Sequence, residues 1–181
     1  MEEHKYRYLQ QFLDRTKENL EYYIQKARNQ EAKLRSYYAE TIKFSSDDFV
    51  TIMLVDAAFI IELFCNNYFC EAYRADRIRG PPFLIYDISS DLLLHENQLP
   101  FFILEDIFDP EKVNRNSNSG VNGKVSFIQL CGKFFEDELD EVGADCNLET
   151  ENSSEVKGEH FLDIIRNLCL PPEPLVGKYI L

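Results

Sequence analysis

The chain has 181 residues, of which 45% are hydrophobic and 13% aromatic, enough to pack one real core and unlike an intrinsically disordered chain. Its formal net charge of −13 and pI near 4.6 argue against phosphate backbones as general partners, because those need a basic face. With only 7 glycines and few β-branched residues beside Leu, Phe, Glu and Tyr, the composition predicts an all-α fold. We read residues 1–181 as a single irregular helical domain with long polar loops near 109–124 and 140–159.

The apolar positions Tyr6, Leu9, Leu13, Leu20, Ile24 and Ala27 recur at three-and-four spacing, which predicts one amphipathic helix from Glu2 to about Arg28. A second helix is expected near Gln30 to Ile42. Ser45, with Asp48 three residues on, resembles a capping box and starts a third helix at about Asp47 that runs to Tyr68. That helix is apolar on nearly every face and belongs at the centre of the fold. Asp56 and Glu62 within it make it a core helix and not a bilayer span, which needs about 20 apolar residues. Asp56 is expected to bond a neighbouring helix end or an arginine. No signal peptide precedes this region, since Met1 is followed by Glu2, Glu3, His4 and Lys5.

Gly80, Pro81 and Pro82 stop any helix. The stretch from Asp91 to Phe108, DLLLHENQLPFFILEDIF, then sets two apolar clusters around the polar island His95-Glu96-Asn97-Gln98. Pro100 disfavours helical geometry at Leu99 and suits the first turn of a new helix. The spacing therefore predicts a helix from Ser89 to about Glu96, with Leu92, Leu93 and Leu94 buried. Asn97 would cap the next one, in which Phe101, Phe102, Leu104 and Phe108 pack inward. Asp91, Glu96, Asn97, Gln98 and Pro100 are thus read as a structural corner that satisfies backbone groups at a bend. Asp109 to Lys124 reads as a loop, Val125 to Leu139 as a helix, Asp140 to Glu159 as an acidic loop, and His160 to Leu170 as a last amphipathic helix stopped by prolines.

Chemistry is sparse in this pattern. His4, His95 and His160 share no ligand spacing, and no glycine-rich phosphate loop is present, so neither a metal nor a cofactor is expected. Cys65, Cys70, Cys131, Cys146 and Cys169 form no CxxC pair and are read as reduced thiols, although the sequon at Asn152 points the other way. The alternative to a binding module is a hydrolase-like enzyme using the His95-Glu96 region or a cysteine. Adjacent helical residues diverge by about 100°, so that pair needs a third group from elsewhere. A protein partner is expected, drawn by the acidic loop and hence basic.

The blocks MEEHKYRYLQQFLDR, YAETIKFSSDDFVTIMLVDAAFIIELF, YDISSDLLLHENQLPFFILEDIF and HFLDIIRNL resemble, in order, those of the plant family known as domain of unknown function 247. The resemblance implies a helical domain without established enzymatic activity. Some grass members are linked to pollen self-incompatibility, which implies recognition. Family members usually carry an earlier Gly-Pro and His-rich block and a hydrophobic C-terminal membrane helix. Neither is seen in this chain, so the resemblance implies a fragment that is itself soluble and cytoplasmic, from a membrane-associated family. His95 stands where a leucine is expected before the Glu-Asn-Gln run. A buried amide that loses its partners costs about 1–3 kcal/mol, so Asn97→Ala should lower the melting temperature clearly. An unchanged melting temperature together with loss of a measurable activity would favour the catalytic reading.

Overall fold

A left-handed residue divides the predicted first helix. The computed structural model describes residues 2–69, 82–94, 99–113, 125–141 and 158–169. Helix α1 spans Glu2–Thr16 and α2 spans Leu20–Ser36. Between them Lys17 adopts φ 58°, and its N–H donates to Leu13 O at 2.9 Å, a left-handed helix stop without glycine. Asn19 then caps α2, its side chain accepting from Tyr22 N at 2.8 Å. The single helix to Arg28 is therefore corrected to two, and α2 covers much of the predicted second helix.

The buried face of α1 agrees with expectation only in part. Leu9 and Ala27 are buried and Leu13 and Ile24 pack against the core as expected, but Tyr8 and Phe12 are fully buried as well, whereas Tyr6 is 55% exposed and Leu20, on α2, is 41% exposed. Helix α3, Ser46–Tyr68, starts as predicted, with Ser45 accepting from Asp48 N at 3.1 Å. It is buried on nearly all sides from Phe49 to Cys65, so it forms the axis on which α1, α2 and the later helices pack. Phe64 is the centre of an aromatic hub, 4.3 Å from Phe134, 5.9 Å from Phe127, 5.8 Å from Phe135 and 5.6 Å from Phe161, centroid to centroid. Tilted and offset rings at such distances add to the burial energy of the hydrophobic surface.

Helix α4, Pro82–Leu93, opens at a proline, which has no amide proton to lose in a first turn. Pro82 thus starts a helix where it was expected only to stop one. Leu92 is buried and Leu93 partly buried, but Leu94 is 44% exposed. Helix α5 spans Phe101–Ile107 and its cap position is Pro100, three residues beyond the predicted Asn97 cap. The first amide of α5 is satisfied from a distance instead, Phe101 N donating to Glu159 O at 2.7 Å. Phe101, Leu104 and Phe108 are buried as expected. The remaining helices are α6 Pro110–Val113, α7 Phe127–Phe134, α8 Glu136–Glu141 and α9 Phe161–Cys169. The single helix expected from Val125 to Leu139 is thus two, broken at Phe135. Among the described residues every regular element is helical.

Two ion pairs tie α1 to α3. Asp56 accepts from Lys5 Nζ at 2.6 Å, both side chains about a quarter exposed, so its partner is a lysine and not the expected arginine or helix end. The buried pair lies elsewhere. Arg15 Nε and Nη2 each donate at 2.8 Å to the two oxygens of Glu62, and Nη2 also donates to Asn66 Oδ1 at 2.9 Å. Arg15 is 6% exposed and Glu62 1%, and the guanidinium lies 5.8 Å from the Phe69 ring. Removing one partner strands a buried charge, so Glu62→Ala should cost about 3–5 kcal/mol in urea denaturation. The double change Arg15→Met with Glu62→Leu should cost clearly less than Glu62→Ala alone.

Candidate functional site

The connection from α2 to α3 is built around one guanidinium. Arg35 sits in the last turn of α2, four residues after Glu31, and its Nε donates to Glu31 Oε1 at 2.9 Å. Its Nη1 donates to Ile42 O at 3.0 Å, and its Nη2 to Phe44 O at 3.1 Å and Ser45 O at 3.3 Å. The plane of the same group lies 4.2 Å from the Phe49 ring. A planar fork with five donors is suited to gathering several carbonyls at once. Residues 37–45, which lack regular hydrogen bonding of their own, are thereby held as one wall.

Facing that wall are Pro100 and His160, and the space between is a groove of about 680 Å³ lined by Tyr37, Tyr38, Thr41, Phe44 and their neighbours. Its far side is fixed by Asp163, whose Oδ2 accepts from Glu159 N at 3.1 Å and His160 N at 3.2 Å at the start of α9. His160 Nδ1 is 3.7 Å from the same oxygen. Tyr37 lies 5.2 Å from Phe102 and edge-on to His160 at 6.5 Å, and Lys33 Nζ stands 3.6 Å over the Phe102 ring. Tyr37 is 38% and Phe44 57% exposed. Rings open to water yet held by neighbours give a surface for stacking apolar or cationic groups. A groove of this size is typical of ligand sites.

A smaller groove of about 260 Å³ runs between α4 and α8, lined by Ile85, Tyr86, Phe134, Glu136, Asp137 and Glu138 among others. Its lysine, Lys133, pairs with Glu136, and Tyr86 is 55% exposed.

The residues singled out from the sequence are not gathered in one place. Pro100 lines the larger groove. Asp91 is exposed near the end of α4, and Asp56 lies with Lys5 and Tyr6 on the α1–α3 face. His95, Glu96, Asn97 and Gln98 lie outside the described residues, as do Cys70, Cys146 and residues 114–124 and 142–157 of the two predicted loops. Arg35 and Glu31 were missed, although their four-residue spacing on a helix is a legible pairing signal. Cys65 and Cys131 are buried free thiols. No group of metal-ligating side chains and no helix long and apolar enough to cross a membrane occurs among the described residues.

Burial pushes the Cys131 thiol well above its ordinary value. The thiol is neutral when protonated, so the folded protein holds that proton more tightly than the unfolded chain. Its contribution to stability is complete below the unfolded value of about 8.5 and is lost as pH rises towards the folded value. The urea midpoint should accordingly fall with alkaline pH more steeply in the wild type than in Cys131→Ala, and equal slopes would remove the thiol as the cause.

A family model described as plant protein of unknown function, DUF247, matches residues 1–177. An Arabidopsis thaliana UPF0481 protein is 32% identical over 176 residues, covering 94% of this chain and 34% of that protein. The chain thus spans about a third of the length of this curated relative. No solved structure matches the chain.

Proposed function

Because the chain belongs to the DUF247 family of plant proteins of unknown function, we propose a role from its own geometry: a protein-recognition module whose larger groove holds an extended segment of a partner protein. The observation that carries this reading is the groove of about 680 Å³ with Tyr37, Phe44 and His160 on a wall anchored by Arg35. Aromatic-lined grooves suit extended, proline-containing segments, because such segments arrive already ordered and present flat rings for stacking. The partner segment is basic. A net charge of −13 and the acidic helix α8 raise the rate of encounter with a cationic chain through long-range attraction. The link of some grass relatives to pollen self-incompatibility, implied by resemblance, belongs to the same class of activity.

A fluorescent proline-rich peptide flanked by lysines is the direct probe. Its anisotropy should rise on mixing with the protein, and the association rate should fall steeply with added salt. Tyr37→Ala with Phe44→Ala should weaken binding by about tenfold or more, as expected when stacking anchors are truncated. Equal binding by the double variant, or by the same peptide flanked by glutamates, would sink this reading. A pull-down from plant tissue with wild type against the double variant then identifies the natural partner.

A further inference from the structure

The hydrogen-bond relay that fixes the groove wall ends on an exposed hydroxyl. Ser46 Oγ donates to Glu31 Oε2 at 2.5 Å and lies 3.3 Å from Arg28 Nη1. The other oxygen of Glu31 holds Arg35 Nε, and Arg35 holds the carbonyls of Ile42, Phe44 and Ser45. One carboxylate therefore bridges an exposed serine and the guanidinium from which the wall hangs. Asp47 and Asp48 follow Ser46 directly, the acidic context that an acid-directed serine kinase reads.

We propose that Ser46 is a phosphorylation site, and that a phosphate there displaces Glu31, draws Arg35 away from residues 42–45 and closes down binding in the groove. The last step rests on the recognition reading above. In the transfer, Ser46 Oγ bonds to the γ-phosphorus of a nucleoside triphosphate and the bridging β–γ P–O bond breaks. The nucleoside diphosphate leaves and the hydroxyl proton passes to the kinase's base. The proton that Glu31 accepts is thus removed and about −1.5 to −2 of charge is put in its place. Hydrogen bonds from Ser46 first and Arg35 second hold the Glu31 carboxyl below its ordinary range, so it is ionised and repelled. Arg28 already reaches this site, its Nη1 donating to Ser46 Oγ at 3.3 Å and its Nη2 to the exposed Asp47 at 2.6 Å, and Arg35 loses its anion. A guanidinium fork can bond two of the three free oxygens of a phosphate at once, and the phosphate carries more charge than the carboxylate it replaces.

The test needs no ligand. Phosphoserine installed at position 46 during synthesis should speed tryptic cleavage after Lys43, in the released segment, by about tenfold or more, since the loss of even one of the three charge-assisted hydrogen bonds from Arg35 is worth about that factor. Ser46→Ala removes the hydroxyl without adding charge and should stay near the unmodified rate. An unmodified rate in the phosphoprotein, or equal acceleration by Ser46→Ala, overturns the switch. Treatment of the folded chain with an acid-directed serine kinase and ATP should place phosphate on Ser46 by fragment mass spectrometry, and phosphate on neither serine, or on Ser45 alone, overturns the site. If cleavage responds while the lysine-flanked peptide never binds the unmodified protein, the switch stands and the recognition reading fails.

Discussion

The described fold depends on one buried charge being answered. Arg15 and Glu62 are both withdrawn from water and meet through two bonds of 2.8 Å. Desolvating two ions costs several kcal/mol each, and only a bidentate geometry with further hydrogen bonds offsets it. Asn66 supplies such a bond one turn along α3. The requirement is strict about position, because sliding α1 along α3 by one residue would break both bonds at once. Apolar packing of Tyr8 and Phe12 tolerates small shifts, whereas the ion pair does not, so it sets the register of the first helix on the central one.

From that register the groove follows. Once α1 is placed, the left-handed turn at Lys17 sends α2 back across α3, and the end of α2 brings Arg35 over Phe49. Arg35 then does for an irregular segment what a helix does for itself, by supplying donors to carbonyls that would otherwise need water. The other side is set independently, by the bond from Phe101 N to Glu159 O that joins α5 to α9. The groove is therefore a seam between two separately braced parts of one helical domain.

Much of this was legible in the residues. The all-α class, the central helix capped at Ser45, the buried face of Phe101, Leu104 and Phe108, and the last amphipathic helix all follow from spacing and capping chemistry. The break after Thr16 did not stand out, because neither glycine nor proline marks it, although Asn19 followed by Glu21 is a helix-start signal. Leaving Tyr8 and Phe12 out of the buried stripe of α1 had a further effect. Tyr8, Phe12 and Arg15 lie at four-and-three spacing on the buried face, so including the two rings would have revealed Arg15 as a buried cation seeking an acid. The groove was harder to see, since Tyr37, Pro100 and His160 are far apart in the chain and only tertiary packing unites them. Pro100 was singled out for its backbone, and its place in the groove wall is a property that no local pattern encodes.

The aromatic hub has a consequence for how the chain is made. Phe64 belongs to the third helix, but the rings that cover it, Phe127, Phe134, Phe135 and Phe161, all lie later in the chain. Chains emerge from the ribosome at about 5–20 residues per second, so α1, α2 and α3 can assemble seconds before α9 exists. During that interval the central helix α3 shows one uncovered aromatic face to its surroundings. The newborn chain is thus most adhesive after Phe64 has emerged and before its covering rings follow, and a chaperone that shields this face would act between the emergence of Phe64 and that of Phe161.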